Sequence, residues 1–160
     1  MKVQVAWLGR PSASPFEGQV ERYRKHVCRR WQAEDRPIKP ASGGRERDPA
    51  RALGLEARAL ERIREPGWRI VALDERGEVR TSEAFAGWMK ALEERATPGV
   101  AFAVGSDLGL ARDFVARTDE TLSLSALTLP HLLARLLLWE QLYRATQILG
   151  GGAYHRNCVQ

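Results

Sequence analysis

The chain has 160 residues, 44% of them hydrophobic, which is one domain's worth of globular sequence and enough to bury a core without staples. No apolar run approaches the roughly 18 residues of a membrane span: the most apolar stretch, Leu132 to Tyr143, is interrupted by Arg135 and Glu140, and the N-terminus lacks the apolar stretch of a secretory signal. Lys and Arg total 25 against 20 Asp and Glu, and the net charge of +5 is compatible with a polyanionic partner without requiring one.

Taken in chain order, Val3, Val5 and Trp7 alternate with Gln4 and Ala6, which predicts a strand with one buried face over Lys2 to Gly9. Pro11 and the residues after it end that strand. Phe16, Val20, Tyr23 and Val27 recur at helical spacing, so a helix follows, carrying Arg22, Arg24, Lys25, Arg29 and Arg30. Those cations read either as a solvated face or as a phosphate-facing patch. Trp31 to Lys39 is compatible with a second strand, short or peripheral because of Pro37 and Pro40. Asp48-Pro49 is a helix start with an N-cap and a proline at the first helical position, and that helix is expected to run to about Glu65.

Arg69 to Asp74 is a short apolar run suited to a buried strand, closed by a turn at Glu75-Arg76-Gly77. Thr81 or Ser82 caps the next helix, whose Phe85, Trp88, Met89 and Leu92 share a face, and Pro98-Gly99 breaks it. Val100 to Gly105 is another buried strand. It empties into Ser106 to Gly109, after which Leu110 to Arg117 reads as helical. Leu122 to Leu129 is strand-like and ends at Pro130-His131, where a long helix begins and continues to Leu149. Apolar residues occupy much of that helix's circumference, so it is expected to be buried on more than one side, one of them a plausible subunit interface.

This alternation predicts an α/β fold, a parallel sheet with helices on both faces. Ligands in such sheets bind beyond the carboxyl ends of the strands, which singles out the loops after Leu73, Val104 and Leu124. Gly105-Ser-Asp-Leu-Gly109 is neither a G-x-G-x-x-G fingerprint nor a phosphate-binding P-loop, so dinucleotides and nucleoside triphosphates are disfavoured. It is a plain tight turn or a place where backbone approaches a ligand closely. The run Ser123 to His131 is either a buried strand capped by Pro130 or a loop that offers backbone groups and leucine walls to an uncharged ring such as adenine. The tail holds Tyr154, His155 and Arg156 after three glycines: a stacking aromatic, a group that titrates near neutrality and a phosphate ligand, or a frayed end. No H-E-x-x-H, paired His/Cys set or G-x-S-x-G elbow occurs, and Cys28 and Cys158 fit no metal-ligand spacing, so no metal is expected. Glu140 and Arg144 are placed for a structural i,i+4 ion pair.

These pieces in this order resemble the ribosomal RNA large-subunit methyltransferase H family of the SPOUT superfamily. The resemblance rests on Leu73-Asp74 at a strand end, FAVG at 102–105, SLSALTLPH at 123–131, R-x-x-L-x-E-x-L-Y-R-A from Arg135 to Ala145, and the terminal YHR at 154–156. It covers nearly the whole chain. It implies one domain over 1–160 with a C-terminal trefoil knot in roughly 100–156, a cytoplasmic homodimer without a membrane segment, and S-adenosylmethionine-dependent methylation of N3 of a pseudouridine in 23S rRNA of the ribosome. It further implies cofactor contacts from Leu73, Gly105, Ser106, Ser125, Ala126, Leu127, Thr128, Leu129 and Pro130, and catalytic roles for Tyr154, His155 and Arg156. The chain departs from the family in two places. Ser106 stands where a second glycine is usual, and Ala153 where a proline is usual, with Asn157 to Gln160 extending the tail. Two alternatives stay open: a SPOUT methyltransferase for another RNA such as tRNA, and a non-catalytic ribosome-binding assembly factor with the same fold.

Overall fold

A computed structural model describes residues 1–41 and 46–151. Five strands form one sheet in the order β2-β1-β4-β3-β5, every pairing parallel. They are β1 (Lys2–Leu8), β2 (Gln32–Ile38), β3 (Arg69–Val79), β4 (Gly99–Val104) and β5 (Glu120–Ser123). The helices between and after them are α1 (Glu17–Val27), α2 (Pro49–Leu60), α3 (Ser82–Glu94), the single-turn α4 (Arg112–Val115) and α5 (His131–Leu149).

Side-chain alternation along β1 shows why both faces are covered. Val3, Val5 and Trp7 join a core with Val20 and Val27 of α1, Met89 of α3, and Leu138 and Trp139 of α5. Ala6 and Leu8 point the other way, into a smaller core with Leu60 of α2 and Phe114 of α4. All six residues of β4 are buried, as befits the middle strand of a sheet covered on both sides. The expected α/β architecture is therefore what forms, with Asp48 and Thr81 capping α2 and α3 as the sequence indicates: their side chains accept from Ala50 N and Ala84 N.

Several element boundaries differ from expectation. β2 is peripheral but not short: it pairs with β1 over seven residues, and Pro37 sits inside it opposite Trp7. An edge strand needs backbone pairing on one side only, so a missing N–H is tolerated there. Helix α2 stops at Leu60, and a 3-10 turn continues to Ile63 rather than a helix to Glu65. The turn at Glu75-Arg76-Gly77 does not end β3. The strand bulges between Leu73 and Glu78 and then rejoins β5, with both residues registered against Leu122. Gly77 permits this, because a Cβ there would lie 2.7 Å from the backbone of Leu122. The expected helix from Leu110 to Arg117 shrinks to Arg112–Val115. Just beyond it, Asp119 is drawn into the edge of β3: its Oδ2 accepts from Ile70 N, and its own N–H donates to the Ile70 carbonyl. The strand-like run Leu122 to Leu129 is β5 only to Ser123; residues 124 to 130 are loop.

A buried ionic knot of side chains fixes α5 against β1 and β2. Arg135 is fully buried, contacts Asp35 with Nε at 3.0 Å and Nη2 at 2.6 Å, and reaches Glu17 at the start of α1 with Nη1 at 2.9 Å. The indole N–H groups of Trp7 and Trp139 both donate to the same Asp35 carboxylate at 2.8 Å, and the guanidinium lies 3.9 Å above the Trp7 ring.

A second hub closes the opposite edge. Glu120 of β5 accepts from Arg69 at 2.9 Å, Arg80 at 2.7 Å and the Trp88 indole at 3.2 Å. Burial pushes the Glu120 carboxyl up, but the hydrogen bonds from Arg80, Arg69 and Trp88 outweigh it and hold the group below its ordinary value of 4.5. A carboxylate depressed in the folded state stabilises the fold above its unfolded value, and that contribution disappears as pH falls through the folded value. Urea midpoints of the native protein are thus expected to drop as pH is lowered below 4.5, and Glu120→Gln should flatten that limb. Superimposable acid limbs would show that Glu120 is not responsible.

Candidate functional site

Because all five strands are parallel, their carboxyl ends share one edge of the sheet. There Leu73, at the bulge of β3, and the loops after β4 and β5 meet the first turn of α5 around a cavity of about 390 Å³. Of the nine cofactor-contact residues expected from sequence, six line it: Leu73, Gly105, Ser106, Thr128, Leu129 and Pro130. Ser125 and Leu127 line a smaller recess of about 70 Å³ that shares Leu73, Leu129 and Ala134 with the first. Ala126 lines neither. Tyr154, His155 and Arg156 lie outside the described residues.

The loop after β4 is shaped by its two glycines for different reasons. Gly109 has φ +76, a left-handed conformation that costs a side chain strain. Gly105 has an ordinary φ, but a Cβ on it would stand 2.5 Å from the Gly109 carbonyl carbon. The loop folds back on itself, with Gly109 N donating to Ser106 O at 2.9 Å, so only glycine fits at 105. Between them, Ser106 is buried; its hydroxyl donates to Glu56 of α2 at 2.8 Å.

The loop after β5 is held by its own small hydroxyl residues. Ser123 Oγ donates to the Ser125 carbonyl at 2.8 Å, and Ser125 Oγ accepts from Leu127 N at 2.9 Å. Thr128 Oγ1 donates to Glu75 Oε2 at 2.7 Å, linking this loop to the bulge of β3. The hydroxyls that alternate with leucines in the sequence thus replace strand pairing with turn bonds. The backbone N–H groups of Ala126, Thr128 and Leu129 have no partner among the described residues. Apolar walls from Leu73, Val104 and Leu129, beside open backbone donors and a glycine turn, suit an uncharged heteroaromatic ring with a flexible polar arm.

Five residues of the cavity wall were not among the expected contacts: Val104, Asp107, Gly109, His131 and Ala134 also line it. His131 Nδ1 lies 2.8 Å from Asp107 Oδ1; this is an ion-pair distance when the ring is protonated, but the direction is not that of a hydrogen bond, and Nδ1 is otherwise buried without a partner. His131 stands inside the run that carried the family resemblance, so its position was a usable signal. Glu56, 50 residues from Ser106, left none.

Helix α1 ends at Val27, so Arg29 and Arg30 lie beyond it, and the expected basic patch is mostly consumed by neighbours. Arg24 binds Glu21 and the Ala33 carbonyl, Lys25 pairs with Glu21, and Arg30 pairs with Glu93. Arg22 and Arg29 are exposed and make no ion pair among the described residues. The Glu140–Arg144 ion pair forms as expected, at 2.6 Å. Among the described residues, no group of His, Cys, Asp and Glu is placed to hold a metal, and no helix is long and apolar enough to cross a membrane.

A family model described as a predicted SPOUT methyltransferase matches residues 1–155. A crystal structure of a probable methyltransferase from Bordetella pertussis Tohama I aligns with a TM-score of 0.57, covering 90% of this chain and 95% of that one; at 18% identity it speaks for the fold alone. Sheet, loop cavity and family match together define a SPOUT methyltransferase. A ribosomal RNA large subunit methyltransferase H from Anaeromyxobacter sp. strain K is 41% identical over 158 residues, covering 98% of this chain and all of its own. One from Geobacter metallireducens is 35% identical over 160 residues, with the same coverage. The chain belongs to the ribosomal RNA large subunit methyltransferase H family.

Proposed function

We propose that the protein transfers the methyl group of S-adenosylmethionine to N3 of a pseudouridine in 23S rRNA of the large ribosomal subunit, acting as a cytoplasmic homodimer of single-domain, knotted chains. The observation that carries this reading is the cavity where the bulge of β3, the loops after β4 and β5 and the start of α5 converge at the carboxyl edge of the sheet. Bound there, S-adenosylmethionine supplies an electrophilic methyl carbon. Leu73 and Leu129 would flank its adenine, the loop after β5 would offer backbone N–H groups to the ring, and the tight Gly105–Gly109 turn would set its backbone beside the rest of the molecule. What the protein must add is alignment of nucleophile and methyl, and removal of the N3 proton. In this reading His155 takes that proton or orients the base, Tyr154 packs on the nucleobase and Arg156 holds a nearby phosphate. Arg22 of α1 and Arg29 just beyond its end are the cations of that patch left available to the RNA backbone.

Chain length supports the homodimer. Helix α5 has 19 residues and starts at the cavity with His131, so Leu149 ends about 28 Å away at 1.5 Å per residue. The six residues from there to His155 span at most about 21 Å. A tail leaving that end is better placed to serve the cavity of a second copy than its own. The knot, placed in roughly 100–156, accords with the strand order, in which β4 inserts between β1 and β3 before β5 passes to the far edge.

Calorimetric titration with S-adenosylmethionine, followed by methyl transfer to ribosomes lacking the modification, tests the proposal. Micromolar binding and a 3-methylpseudouridine product are expected. Methyl transfer to tRNA instead would replace the substrate, and a folded protein that binds ribosomes but neither binds the cofactor nor turns over would replace the enzyme with an assembly factor.

A further inference from the structure

We infer that Glu56 is a positioning residue for the cofactor loop, acting through Ser106; the inference rests on the methyltransferase reading above. Glu56 sits on α2, 2% exposed, and does not line the cofactor cavity. Two of the groups its carboxylate holds lie among the described residues. Oε2 accepts the Ser106 hydroxyl at 2.8 Å, and Oε1 accepts the backbone N–H of Ala41, beyond the end of β2, at 2.9 Å. A carboxylate this deeply buried is held in place by its donors, because withdrawing one leaves charge without compensation.

Ser106 links this anchor to the cavity. Its Oγ is approached by Leu108 N at 3.3 Å while its own proton goes to Glu56. The hydroxyl therefore ties both the start and the middle of the 105–109 loop to α2. A hydroxyl committed to Glu56 is not free to compete for polar groups inside the cavity. The serine that stands where a second glycine is usual is thus an anchor for the loop. A glycine there would have no such tether, and the loop would lose its tie to α2 while keeping the backbone bond between positions 109 and 106 and the Asp107–His131 contact. Glu56 and Ser106 should consequently work as a pair. Removing either releases the loop, and removing the second adds little.

The test is a double-mutant cycle on the full-length protein, read by calorimetric S-adenosylmethionine affinity, with thermal unfolding alongside. Glu56→Met keeps the volume and removes both acceptors. It is expected to weaken binding about tenfold, the size of one lost buried hydrogen bond, and by less than about twofold in the Ser106→Gly background. Glu56→Gln, which keeps one acceptor oxygen, should recover most of the affinity. A purely structural role would lower the melting temperature and shift affinity equally in both backgrounds; that result, or unchanged affinity in the Glu56→Met single variant, overturns the inference. If Glu56→Met does not fold, Glu56→Ala carries the cycle: a weakening seen only when Ser106 is present supports the pair, and equal or absent weakening refutes it. Failure of the native protein to bind S-adenosylmethionine at all would instead refute the methyltransferase reading itself, and the two failures are told apart by that first titration.

Discussion

Arg135→Met is expected to lower the free energy of unfolding by about 3 kcal/mol, at the lower end of what breaking a buried ion pair costs. The substitution keeps an unbranched side chain in a fully buried slot against Trp7, so the loss is chiefly electrostatic. It strands Asp35, whose carboxylate is 11% exposed, with only the two indole N–H donors of Trp7 and Trp139 in place of those plus a guanidinium. Glu17, 43% exposed, can turn to water and contributes less. Removing the stranded charge should repair part of the damage: adding Asp35→Asn to Arg135→Met is expected to recover about 1–2 kcal/mol. Urea denaturation followed by tryptophan fluorescence reads both, since two of the reporters touch the site. A loss below about 1 kcal/mol, or a double variant less stable than the single one, would show that the network does not anchor α5.

Gly105→Ala should abolish useful cofactor binding while leaving the protein folded. The added Cβ would meet the Gly109 carbonyl carbon at 2.5 Å and its oxygen at 2.6 Å. Both are backbone atoms that cannot rotate away, so the turn must open. An opened turn displaces the cavity wall made by Gly105, Ser106, Asp107 and Gly109 together. A rise in the S-adenosylmethionine dissociation constant of at least about a hundredfold is expected, or about 2.7 kcal/mol. Stability should fall by about 1–3 kcal/mol, the usual cost of overpacking. Gly109→Ala is the informative contrast. Nothing lies within 4 Å of a Cβ there, and only the φ of +76 is unfavourable, which costs about 1–2 kcal/mol without filling space. It should weaken binding far less than Gly105→Ala. Native affinity in Gly105→Ala would mean that the cofactor binds elsewhere.

Much of this protein is local and therefore legible. Alternation in β1, helical stripes in α1 and α3, the caps at Asp48 and Thr81 and the break at Pro98-Gly99 all depend on residues within a few positions of one another. That is enough to order the elements, to infer a parallel sheet, and to place candidate ligand loops at strand ends. Six of the nine cofactor-contact residues taken from the family resemblance do line one cavity, because strand direction alone puts those loops on one edge.

The remainder was set by contacts between distant residues. Arg135 reads in sequence as an interruption of an apolar run, yet it is fully buried, because Asp35 and Glu17 arrive from 100 and 118 residues away. Gly77 reads as the end of a strand, yet the strand continues, because only contact with the β5 backbone reveals why a glycine is needed there. Residues 124 to 129 have strand composition but leave the sheet, and the bond that ties this loop to β3, Thr128 to Glu75, spans 53 residues. By itself the sequence determined which segments form elements, in what order, and to which family they belong. Tertiary structure alone decided why β3 runs on past Gly77, which charges are buried and what the loop after β4 bonds to on α2, since a contact between residues so far apart in sequence has no periodicity to announce it.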